Sequence, residues 1–157
     1  MIGPLVQAYV THCDGVFEGP NGDYPSVLEA LAELSAAQAV WKPALNHNSI
    51  WQIVDHLTAS KIWEIEILEK GRSASPTWIE PEGGETEWQE AITRLKAEHA
   101  RLKKMIEQIP DKELLTIPIP EWKQTRLEFL LSLSAHEAHH SGQIDYLKGL
   151  QQEMAKP

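Results

Sequence analysis

The sequence predicts an all-α protein, and two observations carry the prediction. Four long segments repeat apolar residues at the three- and four-residue spacing of an amphipathic helix, and no segment alternates apolar and polar residues as a half-buried strand does. Four such helices bury their apolar stripes most simply in a four-helix bundle. The length of 157 residues suits one domain of this kind, so we expect residues 1–157 to fold as a single bundle.

Composition excludes several classes of protein. Hydrophobic residues make up 42% of the chain and charged residues 24%, which is the balance of a soluble globular domain. The formal net charge of -9 repels nucleic acid and anionic membranes, so neither is an expected partner. Cys13 is the only cysteine, and the first residues lack the pattern of a signal peptide, so we expect a reducing, cytoplasmic setting.

The first part of the chain predicts a loop followed by the first of the four helices. Residues 2–13 are a short apolar opening, and residues 14–25 are rich in the glycine, proline, asparagine and aspartate of turns. Apolar residues then recur at helical spacing over residues 25–34. Ser35 and Gln38 have the spacing of a capping box, which predicts that a short helix restarts there before Pro43 ends it.

Three further helices follow. Ser49 as N-cap and Gly71 as C-terminal glycine bound the second. Residues 72–85 contain two prolines and a Gly-Gly pair, and the length of this connection hints at a functional role. A capping box beginning at Thr86 opens the third helix, which extends toward Pro110, and the last helix covers about residues 126–150.

The last helix carries the most informative stretch of the chain, SAHEAHHSGQI at residues 134–144. Because a helix turns about 100° per residue, His136 and His140 share a face, whereas His139 lies to the side. That face also carries apolar residues such as Phe129, so the two imidazoles point into the predicted bundle. Burying two unpartnered imidazoles is costly, whereas a shared divalent cation satisfies both as neutral ligands. The pair therefore favours a metal site over a hydrogen-bonded structural pair.

The same residues also spell H-E-x-x-H, the zinc-protease signature, in which Glu137 is the general base. That hypothesis needs a third ligand, which in familiar zinc proteases lies downstream on the chain. The only downstream carboxylates are Asp145 and Glu153, and the longer protease motif requires glycine where Gln143 stands. The protease hypothesis is therefore disfavoured. Glu137 is expected at the flank of the helix, with general-base catalysis as its candidate role.

A third ligand is better found upstream. His56 lies on the half-buried edge of the second helix, where it can face His136 and His140 across the bundle. His99, on the inner side of the third helix, is the competing ligand or a residue near the pocket. The remaining histidines are expected at the surface or at the mouth of a pocket: His12, His47 and His139.

Two strings in the chain, WKPALNHNSIWQIVDHL at residues 41–57 and HEAHHSGQIDYLKG at residues 136–149, resemble the DinB-like family. This family of four-helix metal-binding proteins includes YfiT-type hydrolases and bacillithiol- and mycothiol-dependent transferases. The resemblance spans about residues 26–151. It implies His56, His136 and His140 as ligands, with water in the remaining positions. It further implies an up-down-down-up bundle, frequent homodimers, and bound zinc, nickel or another divalent ion such as iron. Ser141 departs from the arginine that many relatives carry.

Three neutral imidazoles leave at least one coordination position open, which is typical of a catalytic ion. Such an ion favours hydroxide or thiolate near neutral pH. We therefore expect a metal-dependent enzyme acting on a small molecule, either a hydrolase or, as the resemblance favours, an S-transferase with a low-molecular-weight thiol as co-substrate. A non-catalytic metal-binding or stress-related dimeric module is the alternative.

Supporting roles are less specific. Gln143 is expected to face inward, where it can hydrogen-bond a ligand or a metal-bound water, and it is a candidate catalytic residue. Cys13 is expected to be a small buried thiol and not a nucleophile. Five tryptophans are either core residues or the walls of a pocket: Trp51, Trp63, Trp78, Trp88 and Trp122.

Overall fold

The computed structural model describes residues 2–20, 22–117 and 119–155. Within these ranges the protein is all-α, with seven α-helices, one short 3₁₀ helix and no strand. The predicted fold class is thus confirmed at the level of an all-α protein. The 3₁₀ helix covers Pro120–Trp122, and the α-helices are α1 (Pro4–Phe17), α2 (Val27–Leu31), α3 (Ala36–Val40), α4 (Ile50–Lys70), α5 (Glu85–Ile106), α6 (Asp111–Leu114) and α7 (Arg126–Met154).

Helix α1 extends into the segment that the sequence predicts as a loop, so the loop boundary at residue 14 is wrong. Pro4 opens the helix, where its missing N–H costs nothing. The helix then buries an apolar stripe that includes Val6, Val10 and Phe17. Glycine inside a helix costs about 1 kcal/mol relative to alanine, and burial of the large Phe17 side chain outweighs the cost of Gly15.

The helix predicted over residues 25–34 is shorter in the structure, where α2 covers only Val27–Leu31 and the predicted restart follows it as α3. A left-handed residue, Glu33, with φ of 65°, separates them, so the apolar spacing across residues 27–34 continues through a break in the helix. Ser26 and Ser35 each close a capping box at the start of a short helix. The capping box predicted at Ser35 and Gln38 is confirmed, and α1 takes the place of the first long helix.

The predicted ends of α4 and the predicted start of α7 are confirmed. Ser49 caps α4, and Gly71 ends it in the left-handed conformation with φ of 71°. Helix α7 starts at Arg126 and continues four residues past the expected end at residue 150. The predicted start of α5 is wrong: Gly84, not Thr86, is its N-cap, and the Gly84 N–H donates to the Glu87 carboxylate at 2.8 Å.

The four longest helices contact one another in a ring: α1 packs on α7, α7 on α4, α4 on α5, and α5 on α1. Buried side chains form two apolar clusters. One is built around Trp51, Leu57 and Trp88, and the other around Val6 and Leu130. None of the helices in the described part of the chain is long and apolar enough to cross a membrane.

Candidate metal centre

Helices α4 and α7 bring three histidines together. His56 comes from the half-buried edge of α4, and His136 and His140 come from one face of α7. The Nε2 atoms of His56 and His136 are 3.2 Å apart, and those of His136 and His140 are 2.9 Å apart. The sequence predicts these three residues as a set, and in the structure their Nε2 atoms lie close together.

The spacing and chemistry of these nitrogens fit a divalent metal ion. Nitrogens bound to one tetrahedral zinc at about 2.0–2.1 Å are about 3.3 Å apart, close to the separations at this cluster. The Nδ1 atom of His140 lies 2.7 Å from Oε1 of Gln143. An amide oxygen only accepts hydrogen bonds, so Nδ1 carries the proton and Nε2 presents its lone pair to the cluster. The His140 lone pair therefore faces the other two Nε2 atoms, and a divalent cation is a partner that all three nitrogens can share.

Burial keeps the three rings neutral near pH 7. It lowers the pKa of His56, His136 and His140 from 6.5 to about 4, and in each case a neighbouring histidine of the cluster lowers the pKa further. Neutral imidazole is the form that binds metals. The cluster is therefore ready to bind an ion without first losing protons.

Trp78 covers part of the cluster. Its ring stacks on His56 with centroids 4.1 Å apart and planes 10° apart, and it meets His140 edge-on at 6.0 Å. The connection between α4 and α5 carries Trp78 and is anchored nearby, where Glu80 pairs with Lys42 at 2.7 Å and accepts from the Gln52 side chain at 3.0 Å. In the sequence this connection stands out only by its length, and Trp78 is only one of five tryptophans that could line a pocket.

Gln143 lies beside His140, but its side chain is exposed rather than inward-facing as the sequence predicts. Gln143 lines a cavity together with residues of the loop before α4, and helical angles alone cannot reveal that surrounding. His47 is exposed in that loop, with Nδ1 3.1 Å from Oδ1 of Asn46. His139 is also exposed and meets His140 only edge-on, with ring centroids 5.2 Å apart.

Glu137 belongs to a different, buried cluster. The structure places it at 3% exposure in contact with the ammonium group of Lys61, and not at the helix flank as expected. Lys61 is 1% exposed, and its Nζ is also 3.1 Å from Nδ1 of His99. Burial lowers the Lys61 pKa, but the carboxylates of Glu137 and Glu64 outweigh burial and raise it overall. A lysine on the apolar stripe of α4 was the sequence signal for this cluster.

His99 is thereby separated from the three-histidine cluster. Its ring stacks on Phe17 at 3.8 Å, and its Nε2 lies 3.5 Å from Oδ1 of Asp14, too far for a strong hydrogen bond. Cys13, His99 and Glu137 have ligand atoms within 4.8 Å of one another. Lys61 already supplies a cation there. Burial also raises the pKa of Cys13 to about 12, so its thiol is protonated and unreactive near pH 7.

The fold and the site together define an all-α protein with a three-histidine candidate metal centre between two long helices. The family model of the DinB superfamily matches residues 24–144, and the chain belongs to this superfamily. The matched range includes all three histidines, and the resemblance noted in the sequence is confirmed. Comparisons with curated proteins and with solved structures gave no match.

Proposed function

We propose that this protein is a divalent-metal-dependent enzyme that acts on a small molecule. His56, His136 and His140 hold the ion, and the observation that supports this most directly is the approach of their three Nε2 atoms. All three donors are neutral, so the charge of the ion is left uncompensated. At least one position stays open for a substrate, as in other catalytic three-histidine sites.

The proposed chemistry is S-transfer from a low-molecular-weight thiol, or hydrolysis. When bound, a zinc, nickel or iron ion supplies Lewis acidity that favours the deprotonated form of a thiol or a water molecule. Gln143 holds the His140 ring in the tautomer that binds metal. Trp78 excludes water from one side of the centre. Glu137, in contact with Lys61, is the second candidate catalytic residue, with general-base catalysis as its proposed role.

The proposed architecture is an up-down-down-up four-helix bundle over residues 1–157, working as a homodimer in the cytoplasm. The ring of contacts among α1, α4, α5 and α7 supports the bundle. Membership of the DinB superfamily supports the topology and the dimer.

The metal centre is tested by the metal content of untagged protein purified without added metal. We expect close to one equivalent of divalent ion per chain, and we expect a chelator to lower the melting temperature because the ion binds only the folded state. His56→Ala and His136→Ala should lose the ion. The matched control is His139→Ala, which removes an exposed histidine from the same helix and should keep it.

Two results would contradict this proposal. Wild-type protein without metal, or metal retained in His56→Ala and lost in a His99 variant, would show that the ligand set is wrong. Enzymatic activity needs its own measurement, in which small thiols are mixed with an electrophile such as 1-chloro-2,4-dinitrobenzene. The thiolate sulfur forms a bond to the ring carbon as chloride leaves, and the proton of the thiol passes to the buffer. If the protein contains metal but turns over neither thiols nor hydrolysable esters, it is a non-catalytic metal-binding module and not an enzyme of this kind.

A further inference from the structure

A cavity of about 460 Å³ lies next to the candidate metal centre. Its walls come from the loop before α4, from the start of α4 at Ile53, and from the second half of α7 at Gln143, Leu147 and Leu150. This volume is in the range of cavities that bind small organic molecules. The three histidines themselves do not line it.

The cavity nevertheless begins one helical turn from the centre on both helices. Ile53 precedes His56 by three residues on α4, and Gln143 follows His140 by three residues on α7. Residues three apart are neighbours on one face of a helix. Gln143 also links the two places directly, because it lines the cavity and accepts the hydrogen bond from His140. A molecule bound at the metal can thus extend into this cavity.

The chemistry of the walls selects the kind of group that fits. Among the described residues, the lining includes apolar side chains, the polar side chains of Asn46, Asn48 and Tyr146, and the exposed imidazole of His47, but no aspartate, glutamate, lysine or arginine. Another cavity, of about 350 Å³, differs, because Asp55 and Glu66 line it. An ionised group entering the first cavity would lose water and meet no carboxylate, ammonium or guanidinium group there.

We infer that this cavity binds the uncharged part of the substrate, an apolar body such as a hexyl chain or a phenyl ring with a neutral hydrogen-bonding group. The inference rests on the proposed function, because the reacting end of the same substrate binds at the three-histidine centre. It narrows the substrate class to molecules with a metal-binding or metal-activated head and a neutral, mainly apolar tail.

The test uses hydroxamic acids, whose head groups bind divalent metals, and zinc-loaded protein in a calorimeter. Acetohydroxamic acid measures the head alone. Hexanohydroxamic acid adds an apolar tail and should bind at least about tenfold more tightly, since each buried methylene contributes about 0.8 kcal/mol at most. A hydroxamic acid of similar length that ends in a carboxylate should gain little over acetohydroxamic acid.

Variants locate the tail. Leu150→Trp fills the cavity and should reduce the gain from the pentyl tail of hexanohydroxamic acid to less than about twofold, with acetohydroxamic acid binding unchanged. Asn46→Trp fills the cavity from an exposed loop position, and it serves if Leu150→Trp does not fold. Leu131→Trp is the matched control, an exposed leucine of the same helix outside the cavity, and should keep the full gain.

The outcomes separate the two proposals. If acetohydroxamic acid binds but the tail adds nothing, or if the gain survives both cavity variants, the cavity assignment is overturned and the metal centre stands. If acetohydroxamic acid does not bind and the protein holds no metal, both the centre and the cavity assignment fail.

Discussion

Adjacent residues of α7 serve two different clusters. His136 faces the metal centre, while Glu137, about 100° further round the helix, is buried against Lys61. The string H-E-x-x-H therefore joins side chains that point to different places. Only the four-residue spacing of His136 and His140 is shared with a metalloprotease, and the third histidine comes from α4.

Among single residues, Gln143 is the one whose contribution to metal affinity can be measured most directly. Replacing it by leucine removes the acceptor for His140 Nδ1 but keeps most of the side-chain volume. We expect Gln143→Leu to weaken zinc binding about tenfold, the lower end of the effect of losing a partner of a metal-binding histidine. Competition with a chromophoric chelator measures the affinity.

Two further variants give this measurement its controls. Gln143→Glu keeps an acceptor at the same place and should bind zinc at least as tightly as the wild type. Gln152→Leu makes the same change at an exposed position of the same helix and should have no effect. Equal zinc affinities in Gln143→Leu and Gln152→Leu would mean that the contact with His140 does not support the centre.

At the scale of helices, the ends that local signals define were predictable and those that distant contacts define were not. Ser49 and Gly71 bound α4 through caps within a few residues of each end. The start of α1, in contrast, is stabilised by Asp111, which accepts hydrogen bonds from the N–H groups of Leu5 and Val6 at 3.0 and 3.1 Å. That partner lies more than a hundred residues away, beyond the reach of any local pattern.

The Lys61–Glu137 pair joins α4 to α7 and makes a prediction about helix packing. Removing one partner leaves the other charge buried and unpaired, so Lys61→Met should lower the free energy of unfolding by about 3 kcal/mol. Removing both charges in Lys61→Met/Glu137→Leu should cost less than the sum of the two single changes. Urea unfolding of chelator-treated protein measures all of these variants.

A second ion pair on α4 is the control for this cycle. Lys70 and Glu66 are exposed and 3.2 Å apart, and an exposed pair contributes less than about 1 kcal/mol. Lys70→Met should therefore leave the stability nearly unchanged. If Lys61→Met proves as mild as Lys70→Met, the buried pair is not an important link between the two helices.

For the whole molecule, the site was predictable to the extent that it follows helical spacing. His136 and His140 share a helix, so their common face could be read from the sequence, and His56 followed from the edge of α4. Trp78 could not be assigned in this way, and the position of Lys61 on the apolar stripe of α4 did not reveal its partners. Trp78 sits on a connection without helical period, and the burial of Lys61 depends on Glu137 and His99 from two other helices.

The buried histidines also make the stability of the metal-free protein depend on pH. The pKa of His56, His136 and His140 is about 4 in the folded protein and 6.5 when unperturbed. Between these values the unfolded chain binds protons that the folded chain does not, so stability falls as pH falls from 6.5 toward 4. Glu64 acts in the opposite sense, because burial raises its pKa from 4.5 to about 8.

His99 adds to the effect of the three rings, because burial lowers its pKa from 6.5 to about 3. Four rings outweigh one carboxyl group, but the three rings of the metal centre are partly exposed, which reduces the effect of each. We expect the free energy of unfolding of chelator-treated protein to fall by about 2–5 kcal/mol between pH 6.5 and 4.5. Urea titrations at several pH values measure this slope. His136→Asn should flatten it, since one of the three rings is gone, whereas His139→Asn should not. A slope that is unchanged in His136→Asn would mean that these rings already take up protons in the folded protein, and that the centre is more open to water than the packing of α4, α7 and Trp78 implies.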